Sequence, residues 1–384
     1  MESDKRKILL LYGSAGAGHE TACRAIEGEI RSLGFEGEIH VVDVLKYMPS
    51  IIADIFSKGY LFVASKVPWL WYALYERKSN LYRFKPPSSL QNVFWKIVLR
   101  RFNRYLIKER PNYIISTYFT SSWAAGRYKK VHNPRCEVAT VVTDYGLHPV
   151  WLVPGQGRYF VAVEDNVTEL AEFEWYTGVC KAKIKSVGIP IEKRFIVAKD
   201  KKALREKYGF DSRLFTVLVL AGVYGIDHIE AIVEVLLKCR SQLQLFLVAR
   251  KNFSINDRLK KNLADRGFVY KTFGKIDFIE DLMAMADVAI TKTGGLASTE
   301  CLASGLPLLV YLPYPGQEER NSALFLERGA GLRIFQLESL PNKIDMLATD
   351  KERYQAMVRA AKAIANHNAA KEIANVVLGD LKGK

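Results

Sequence analysis

Short apolar runs alternate with helical patterns along the first half of the chain. Residues 7–12 (KILLLY) are an apolar run, residues 13–18 are small, and helical apolar spacing extends over about residues 21–33. A second apolar run at 38–44 completes a strand, glycine-rich turn, helix and strand, which is a βαβ unit. Further strands are predicted at 113–116, 137–143, 159–163 and 185–187. This half therefore predicts a parallel sheet with helical crossovers.

The same pattern restarts after Gly188-Ile189-Pro190. A strand is predicted at 215–221, a second small-residue turn at 222–225, and a helix at 228–238; more strands are predicted at 243–248, 288–291 and 308–311. The last helix, about 351–378, is long and basic. The pattern predicts an α/β protein of two Rossmann-like domains, 1–190 and 191–350. A C-terminal segment, 351–384, is expected to pack back on the first domain.

One segment, residues 49–106, interrupts the α/β alternation. It shows no clear strand, is rich in aromatic residues and closes with a cationic helix that contains Arg100 and Arg101. Trp69, Trp71 and Tyr72 lie close together among lysines and arginines. Tyrosine and tryptophan favour a bilayer interface, and cations favour anionic lipid. We hypothesise that this insertion docks the first domain on a membrane and admits a lipid headgroup, although a helical insertion with core aromatics is the simpler interpretation of single residues.

Composition narrows the class of partner. The net charge of +15, from 56 Lys and Arg against 41 Asp and Glu, favours a polyanionic partner such as nucleic acid or an anionic membrane. No nucleic-acid-binding signature is visible, and no apolar run reaches the ~18 residues of a membrane span. The five cysteines are dispersed without a CxxC pair, which favours free thiols over disulfides or a zinc site. A cytoplasmic protein, peripheral on the inner face of the membrane and without nucleic acid or metal, is expected.

The first glycine-rich loop carries the first candidate chemistry. It reads GSAGAGH, with His19 and Glu20 where a P-loop needs Lys and Ser or Thr, so it cannot grip a nucleoside triphosphate in that way. His19 instead stands at a helix N-terminus beyond the carboxyl edge of a sheet, where open α/β sheets bind ligands. The positive helix end disfavours the imidazolium, and a neutral imidazole can act as a general base. A histidine that merely caps the helix is the alternative.

Two polar clusters follow strands of the second half. After the strand at 288–291, Gly294 and Gly295 let backbone N–H groups approach an anion at a helix N-terminus. Glu300, six residues beyond Gly294, can accept hydrogen bonds from a ribose diol. The run PGQEERN follows the strand at 308–311 with polar groups that suit sugar hydroxyls. Alone, each run is also compatible with a tight turn or a solvated loop.

Together these motifs resemble a known family. The stretch 292–331 resembles the donor-site signature of glycosyltransferases that include MurG-type enzymes, monogalactosyldiacylglycerol synthases and processive diacylglycerol glucosyltransferases, and PGQEERN is similar to the diacylglycerol branch. The loop that ends at Gly18-His19 resembles that branch's GxGH loop. Residues 143–151, with Asp144, His148 and Trp151, resemble its TD-x3-H-x2-W segment, and Gly188-Ile189-Pro190 its interdomain junction. The resemblance covers roughly residues 7–331.

The resemblance implies a GT-B fold, with two Rossmann-like domains facing each other across a cleft, and an inverting mechanism without a metal. It places the donor UDP-sugar in the second half and the lipid acceptor in the first, with His19 as the base. Asp144 and His148 follow a predicted strand end: Asp144 is expected to orient His19 or the headgroup, with a helix cap as the alternative, and His148 is assigned with Trp151 to the acceptor, with a structural hydrogen bond as the alternative. The expected donor contacts are grouped by the part of the UDP-sugar that they bind. They are Gly222, Phe278 and Ile279 for the uracil, Glu300 for the ribose, Thr293, Gly294 and Gly295 for the pyrophosphate, and Gln317, Glu318 and Asn321 for the sugar side; Gly18 is a further donor residue.

The resulting hypothesis is transfer of a hexose from a UDP-sugar to diacylglycerol at an anionic membrane surface, with no cofactor beyond the donor. Three alternatives stay open: transfer to an undecaprenyl-linked lipid, a UDP-sugar 2-epimerase, and a non-catalytic nucleotide sensor at the membrane.

Overall fold

Two compact units make up the chain in the computed structural model, which describes residues 6–56, 85–221, 226–249 and 251–383. The first unit consists of Met1–Glu192, Pro315–Arg320 and Asn366–Lys384. The second consists of Lys193–Tyr314 and Asn321–Ala365.

The first unit is built on a sheet of six parallel strands in the order β2-β1-β3-β4-β5-β6. Alternate residues of β1 enter separate cores: Ile8 and Leu10 pack on one face of the sheet, Leu9 and Leu11 on the other. A strand with both faces covered by helices has to be apolar throughout, which explains the uninterrupted run in its sequence. The strands are β1 (Lys7–Tyr12), β2 (Glu38–Asp43), β3 (Tyr113–Ser116), β4 (Glu137–Val141), β5 (Arg158–Val161) and β6 (Ile184–Ser186).

The second unit also has six parallel strands, in the order β12-β11-β10-β7-β8-β9. From β9 back to β12 this is the doubly wound order of a dinucleotide-binding fold. The strands are β7 (Phe215–Leu220), β8 (Leu243–Val248), β9 (Val269–Phe273), β10 (Val288–Thr291), β11 (Leu308–Tyr311) and β12 (Gly331–Ile334).

Helices connect these strands. In chain order, among the described residues, they are α1 (Gly18–Ser32), α2 (Ser50–Asp54), α3 (Ser89–Val98), α4 (Arg100–Glu109), α5 (Phe119–Val131), α6 (Glu164–Ala171), α7 (Glu174–Thr177), α8 (Lys201–Lys207), α9 (Ile226–Leu236), α10 (Asp257–Asp265), α11 (Ile279–Met285), α12 (Gly295–Ala303), α13 (Gln317–Glu327), α14 (Leu340–Thr349), α15 (Lys351–Ile364) and α16 (Ala369–Lys382). In the parts of the chain that the structure describes, no helix combines the length and the apolar character needed to cross a bilayer.

The prediction of one long C-terminal helix at 351–378 is wrong, because the chain forms two helices there. Ala365 is extended, and the Asn366 side chain accepts the Asn368 N–H at 2.9 Å while donating to the Val187 carbonyl at 2.8 Å. These side-chain bonds replace helical ones and end α15. Residues 351–365 belong to the second unit and α16 to the first. Ile373, Ala374 and Val377 of α16 pack in the same core as Ile26 and Ile30 of α1.

Each sheet has a point where successive connections leave in opposite directions. In the first unit it lies between β1 and β3, and in the second between β7 and β10. Ligands of open α/β sheets bind beyond the carboxyl ends of the strands at such a point. The loop that leads to His19 follows β1, and the loop that leads to Gly295 follows β10, so both glycine-rich motifs lie at these positions.

Candidate functional site

The loop between β1 and α1 is held against the neighbouring strands. Gly13 lies so close to the Tyr118 ring that a Cβ at this position would be 2.4 Å from it, which requires glycine. The Ser14 N–H donates to Asp43 Oδ1 at 3.3 Å, and the same oxygen accepts the Leu45 N–H at 3.0 Å. Helix α1 begins at Gly18, three residues earlier than predicted, so His19 is its second residue.

The His19 imidazole contacts residues that follow β3 and β4. Its Nδ1 lies 3.2 Å from the Thr143 hydroxyl oxygen, and its ring meets the Tyr118 ring edge-on at 5.0 Å between centroids. The Thr117 hydroxyl donates to the His19 carbonyl at 3.0 Å. Removal of the ring from water lowers the pKa of His19 to about 4, although a hydrogen bond from the ring to the backbone of Thr117 opposes this shift. The imidazole is therefore neutral at physiological pH, as a general base must be.

Asp144 forms hydrogen bonds to other side chains in the structure, and its expected role of orienting His19 or the headgroup stays a prediction. Its carboxylate accepts hydrogen bonds from Trp151 Nε1 at 3.1 Å and from the Gln317 side chain, which also belongs to the first unit. His148 Nδ1 accepts the Val150 N–H at 3.1 Å and so caps a short turn. Trp151 is only 3% exposed. These contacts show how residues 144–151 hold their own fold, and the expected acceptor roles of His148 and Trp151 stay predictions.

The contact of Thr143 with His19 was not predicted from the sequence. It directly precedes Asp144, and its hydroxyl is the group in contact with the His19 ring. The motif is visible in the sequence, but it indicates Asp144 as the partner of His19, because a carboxylate is the commoner partner of a catalytic histidine.

The second glycine-rich motif begins helix α12. Gly294 is the residue before the helix, and the Thr299 hydroxyl bonds back to the Gly295 carbonyl at 2.7 Å. The buried Asn321 side chain donates to the Thr293 carbonyl at 3.0 Å and fixes the loop before the helix. The first N–H groups of an α-helix lack intrahelical partners and favour an anion.

The other predicted donor residues lie on or next to helices of both units. Glu300 lies on the second turn of α12 and is only 9% exposed. Phe278 precedes α11, whose first residue is Ile279, and its ring stacks on Tyr208 at 5.7 Å. Gly222 lies outside the described residues. Gln317 and Glu318 begin α13, where Glu318 is buried.

Lys292, a cation next to the Gly294-Gly295 motif, was also not predicted as a site residue. The Lys292 ammonium lies 3.7 Å from the centre of the Tyr314 ring, a cation–π contact inside the second unit. Lys292 directly precedes Thr293, and this proximity in sequence was the available signal. Among the described residues, no group of three or more His, Cys, Asp and Glu side chains is arranged to hold a metal ion.

The predicted membrane-docking residues are described only in part. Trp69, Trp71 and Tyr72 lie outside the described residues. Arg100 and Arg101 are exposed at the start of α4, whose Phe102 and Leu106 are buried. The preceding helix α3 exposes four large apolar side chains at helical spacing, namely Leu90, Val93, Phe94 and Ile97.

Two family models match the chain, one in each half. Residues 19–191 match the monogalactosyldiacylglycerol (MGDG) synthase model. Residues 216–376 match the glycosyltransferase family 28 C-terminal domain. The first match begins at His19, and the second includes Gly294, Gly295 and Glu300.

Similar proteins agree with both matches. The chain is 27% identical over 373 residues to a processive diacylglycerol beta-glucosyltransferase of Bacillus licheniformis, which covers 96% of this chain and 93% of that protein. A protein of the same name from Bacillus subtilis is 25% identical over 379 residues, covering 98% and 96%.

Solved structures share the fold. MurG of Acinetobacter baumannii aligns with a TM-score of 0.63 at 11% identity over 97% of this chain and 99% of that one. Anabaena HepE in complex with UDP aligns with a TM-score of 0.55 at 14% identity over 97% and 100%. With an MGDG synthase domain in its first half and a family 28 C-terminal domain in its second, the chain has the GT-B fold and belongs to the glycosyltransferase family of the MGDG synthases and processive diacylglycerol glucosyltransferases.

Proposed function

We propose that this protein transfers a hexose from a UDP-sugar to the free hydroxyl of diacylglycerol, with inversion at the anomeric carbon. The observation that carries the proposal is the position of His19. It lies at the head of α1, at the switch point of a unit that matches the MGDG synthase model, where removal from water lowers its pKa and favours the neutral imidazole. The names of the relatives in two Bacillus species support diacylglycerol as the acceptor.

In this proposal the reaction is a single displacement. The diacylglycerol hydroxyl oxygen attacks the anomeric carbon, its proton passes to His19, and the bond from that carbon to the UDP oxygen breaks with the electron pair leaving on UDP. Negative charge then grows on the diphosphate. The N-terminus of α12 at Gly295 can stabilise that charge without a metal, with Gly294 giving the backbone close access.

The donor would be held by residues of complementary chemistry. We assign the ribose diol to the Glu300 carboxylate, the uracil to the neighbourhood of Gly222, Phe278 and Ile279, and the diphosphate to Thr293–Gly295 with support from Lys292. The bond from Asn321 to the Thr293 carbonyl would keep this loop in position. We assign the sugar hydroxyls to Gln317 and Glu318, and we also propose Gly18 as a donor-binding residue.

A diacylglycerol acceptor requires contact with a membrane, and α3 has the character of an interfacial helix. Its exposed apolar side chains recur at i, i+3, i+4 and i+7, and two of them, Leu90 and Ile97, are 82% and 67% exposed. Lys96, Arg100 and Arg101 are exposed nearby. Apolar side chains beside cations fit an anionic lipid surface, since cations near such a surface contribute about 1 kcal/mol each. We propose that α3 and the start of α4 dock the first unit on that surface.

Flotation with vesicles tests this docking. Vesicles of phosphatidylglycerol and phosphatidylcholine should carry the wild-type protein upward, and Leu90→Ser with Ile97→Ser should reduce the bound fraction severalfold. Val131→Ser is the control, because Val131 is an exposed apolar residue at the far end of α5 in the same unit. Equal binding of the double variant and the wild type would rule out this role of α3.

A product assay tests the function itself. The purified protein is incubated with diacylglycerol in anionic vesicles and a panel of UDP-sugars, and UDP release and lipid product are read together. A glycosyldiacylglycerol from one donor is the expected result. Release of UDP only with a polyprenyl-linked acceptor, or conversion of the UDP-sugar without lipid, would overturn the proposal.

A further inference from the structure

His19 is held by three neighbouring residues. The Thr117 hydroxyl donates to the His19 backbone carbonyl, the Tyr118 ring packs edge-on against the imidazole, and the Thr143 hydroxyl lies 3.2 Å from Nδ1. Thr143 is only 6% exposed, so its hydroxyl is sheltered from competing water. Its position two residues beyond the end of β4 is set by the sheet rather than by a long loop.

We propose that Thr143 is the positioning residue of the His19 base. Its hydroxyl accepts a hydrogen bond from the Nδ1–H of the ring, which leaves Nε2 unprotonated and directed to the acceptor. A neutral imidazole has one N–H and one free nitrogen, and the partner of one nitrogen decides the role of the other. The inference rests on the proposed function, because it concerns the proton transfer of that reaction.

A hydroxyl in this position has a different effect from a carboxylate. A carboxylate stabilises the imidazolium and raises the pKa of its histidine, whereas an uncharged hydroxyl fixes the ring without favouring the charged form. The nearby carboxylate of Asp144 accepts hydrogen bonds from Trp151 and Gln317. Thr143 thus fixes the orientation of the ring, while the low pKa that burial produces keeps its free nitrogen unprotonated.

The proton balance follows from this tautomer. As the acceptor oxygen bonds to the anomeric carbon and the sugar–UDP bond breaks, the hydroxyl proton moves to Nε2. The resulting imidazolium keeps its Nδ1–H bond to Thr143, so the ring does not have to rotate during the step. The proton leaves to solvent after the product departs.

The β-branched side chain of Thr143 makes two informative variants available. Valine keeps the shape of threonine and removes the hydroxyl, whereas serine keeps the hydroxyl but loses the stiffness at χ1. Thr177→Val is the matched control, because Thr177 is a buried threonine of the same unit whose hydroxyl donates to the Phe173 carbonyl at 3.1 Å.

Nitrogen NMR of the histidine rings tests the tautomer without any substrate. In protein labelled with ¹⁵N-histidine, the signals that disappear in His19→Gln identify His19. The wild type is expected to show the Nδ1–H form, and Thr143→Val a shift towards the Nε2–H form that Thr177→Val does not cause. An Nε2–H wild-type ring would overturn the proposal even if Thr143→Val failed to fold.

Kinetics give the second readout. Thr143→Val should lower kcat roughly 10- to 100-fold with little change in the donor KM, and Thr143→Ser should recover most of the loss. A kcat for Thr143→Val equal to that of Thr177→Val would contradict the proposal. If the wild type made no glycolipid, the proposed function would fail while the NMR result would still decide the tautomer.

Discussion

The two units of this protein share an architectural device, and we propose that each uses it for different chemistry. Both have six parallel strands, and both place the N-terminus of a helix at the switch point of the sheet. In the first unit the helix presents a side chain, His19, as its second residue. In the second unit it begins with Gly295 and presents backbone. The positive helix end disfavours an imidazolium in one case and favours a diphosphate in the other.

The residues around the start of each helix also differ: in the first unit they contact a side chain, and in the second they bind the backbone. Around His19, the side chains of Thr143 and Tyr118 contact the imidazole ring. Around Gly295, the hydrogen bonds from Asn321 and Thr299 go to backbone carbonyls. With the proposed roles of His19 and Gly295, the comparison teaches that a shared fold sets where the site lies, whereas the first residues of one helix decide whether it handles a proton or an anion.

Replacement of His19 should have the largest effect. We expect His19→Gln to lower the rate of glycosyl transfer by about 10²- to 10⁴-fold, because it removes the proposed base. The assay follows glycolipid formation in vesicles. His132→Gln, at an exposed histidine of the same unit, is the control. If His19→Gln transferred the sugar at the rate of this control, His19 would not be the base.

Replacement of Glu300 should weaken donor binding alone. Glu300→Gln is expected to weaken UDP binding about 10-fold or more, since a hydrogen bond to a charged group contributes about 1.5 to 3 kcal/mol. Calorimetric titration with UDP measures the Kd, with Glu338→Gln, an exposed glutamate of the second unit, as the control. An unchanged Kd would show that the ribose is not held by this carboxylate.

The acid side of the pH profile tests the state of His19. With a pKa of about 4, the imidazole stays mostly neutral at pH 5, so kcat/KM should be nearly flat between pH 7 and pH 5. A base with the ordinary pKa of about 6.5 would be only about 3% neutral at pH 5 and would lower the rate about 30-fold. A decline centred near pH 6.5 would contradict the lowered pKa of His19.

The same lowered pKa predicts the direction of a stability effect. Because the pKa of folded His19 lies below its ordinary value of 6.5, the unfolded chain binds this proton more readily. The contribution of His19 to stability is therefore present above pH 6.5 and is lost as the pH falls towards about 4. Thermal unfolding at pH 7 and pH 5 should show a smaller loss of Tm for His19→Gln than for the wild type. An equal loss would mean that the ring titrates normally.

The smallest effect is expected from the loop support of the second unit. Asn321→Ala removes one buried bond to the Thr293 carbonyl and should cost about 1 to 3 kcal/mol of unfolding free energy, measured by urea denaturation. The donor KM should rise a fewfold while kcat changes little. A fall in kcat with an unchanged KM would indicate that Asn321 acts on the reaction rather than on the donor loop.

Local patterns predicted all six strands of the first sheet and four of the six strands of the second, because buried parallel strands must be apolar on both faces. They missed β9, which is only partly buried, and β12. The run at Lys7–Tyr12 shows this, since its alternate residues fill two cores. The break in the last helix was not predictable, because it depends on the bond from Asn366 to Val187, 179 residues away. The contact of His19 with Thr143 spans 124 residues. The motif around Thr143 was visible in the sequence, but its hydroxyl carries no charge that would have drawn attention to it.

UDP binding to the His19→Gln variant tests the division between the two units most directly. Calorimetry should give a Kd for UDP within about twofold of the wild type in protein that no longer forms glycolipid, because a base for the acceptor does not hold the donor. Loss of UDP affinity together with activity would contradict the account and would place His19 in the donor site.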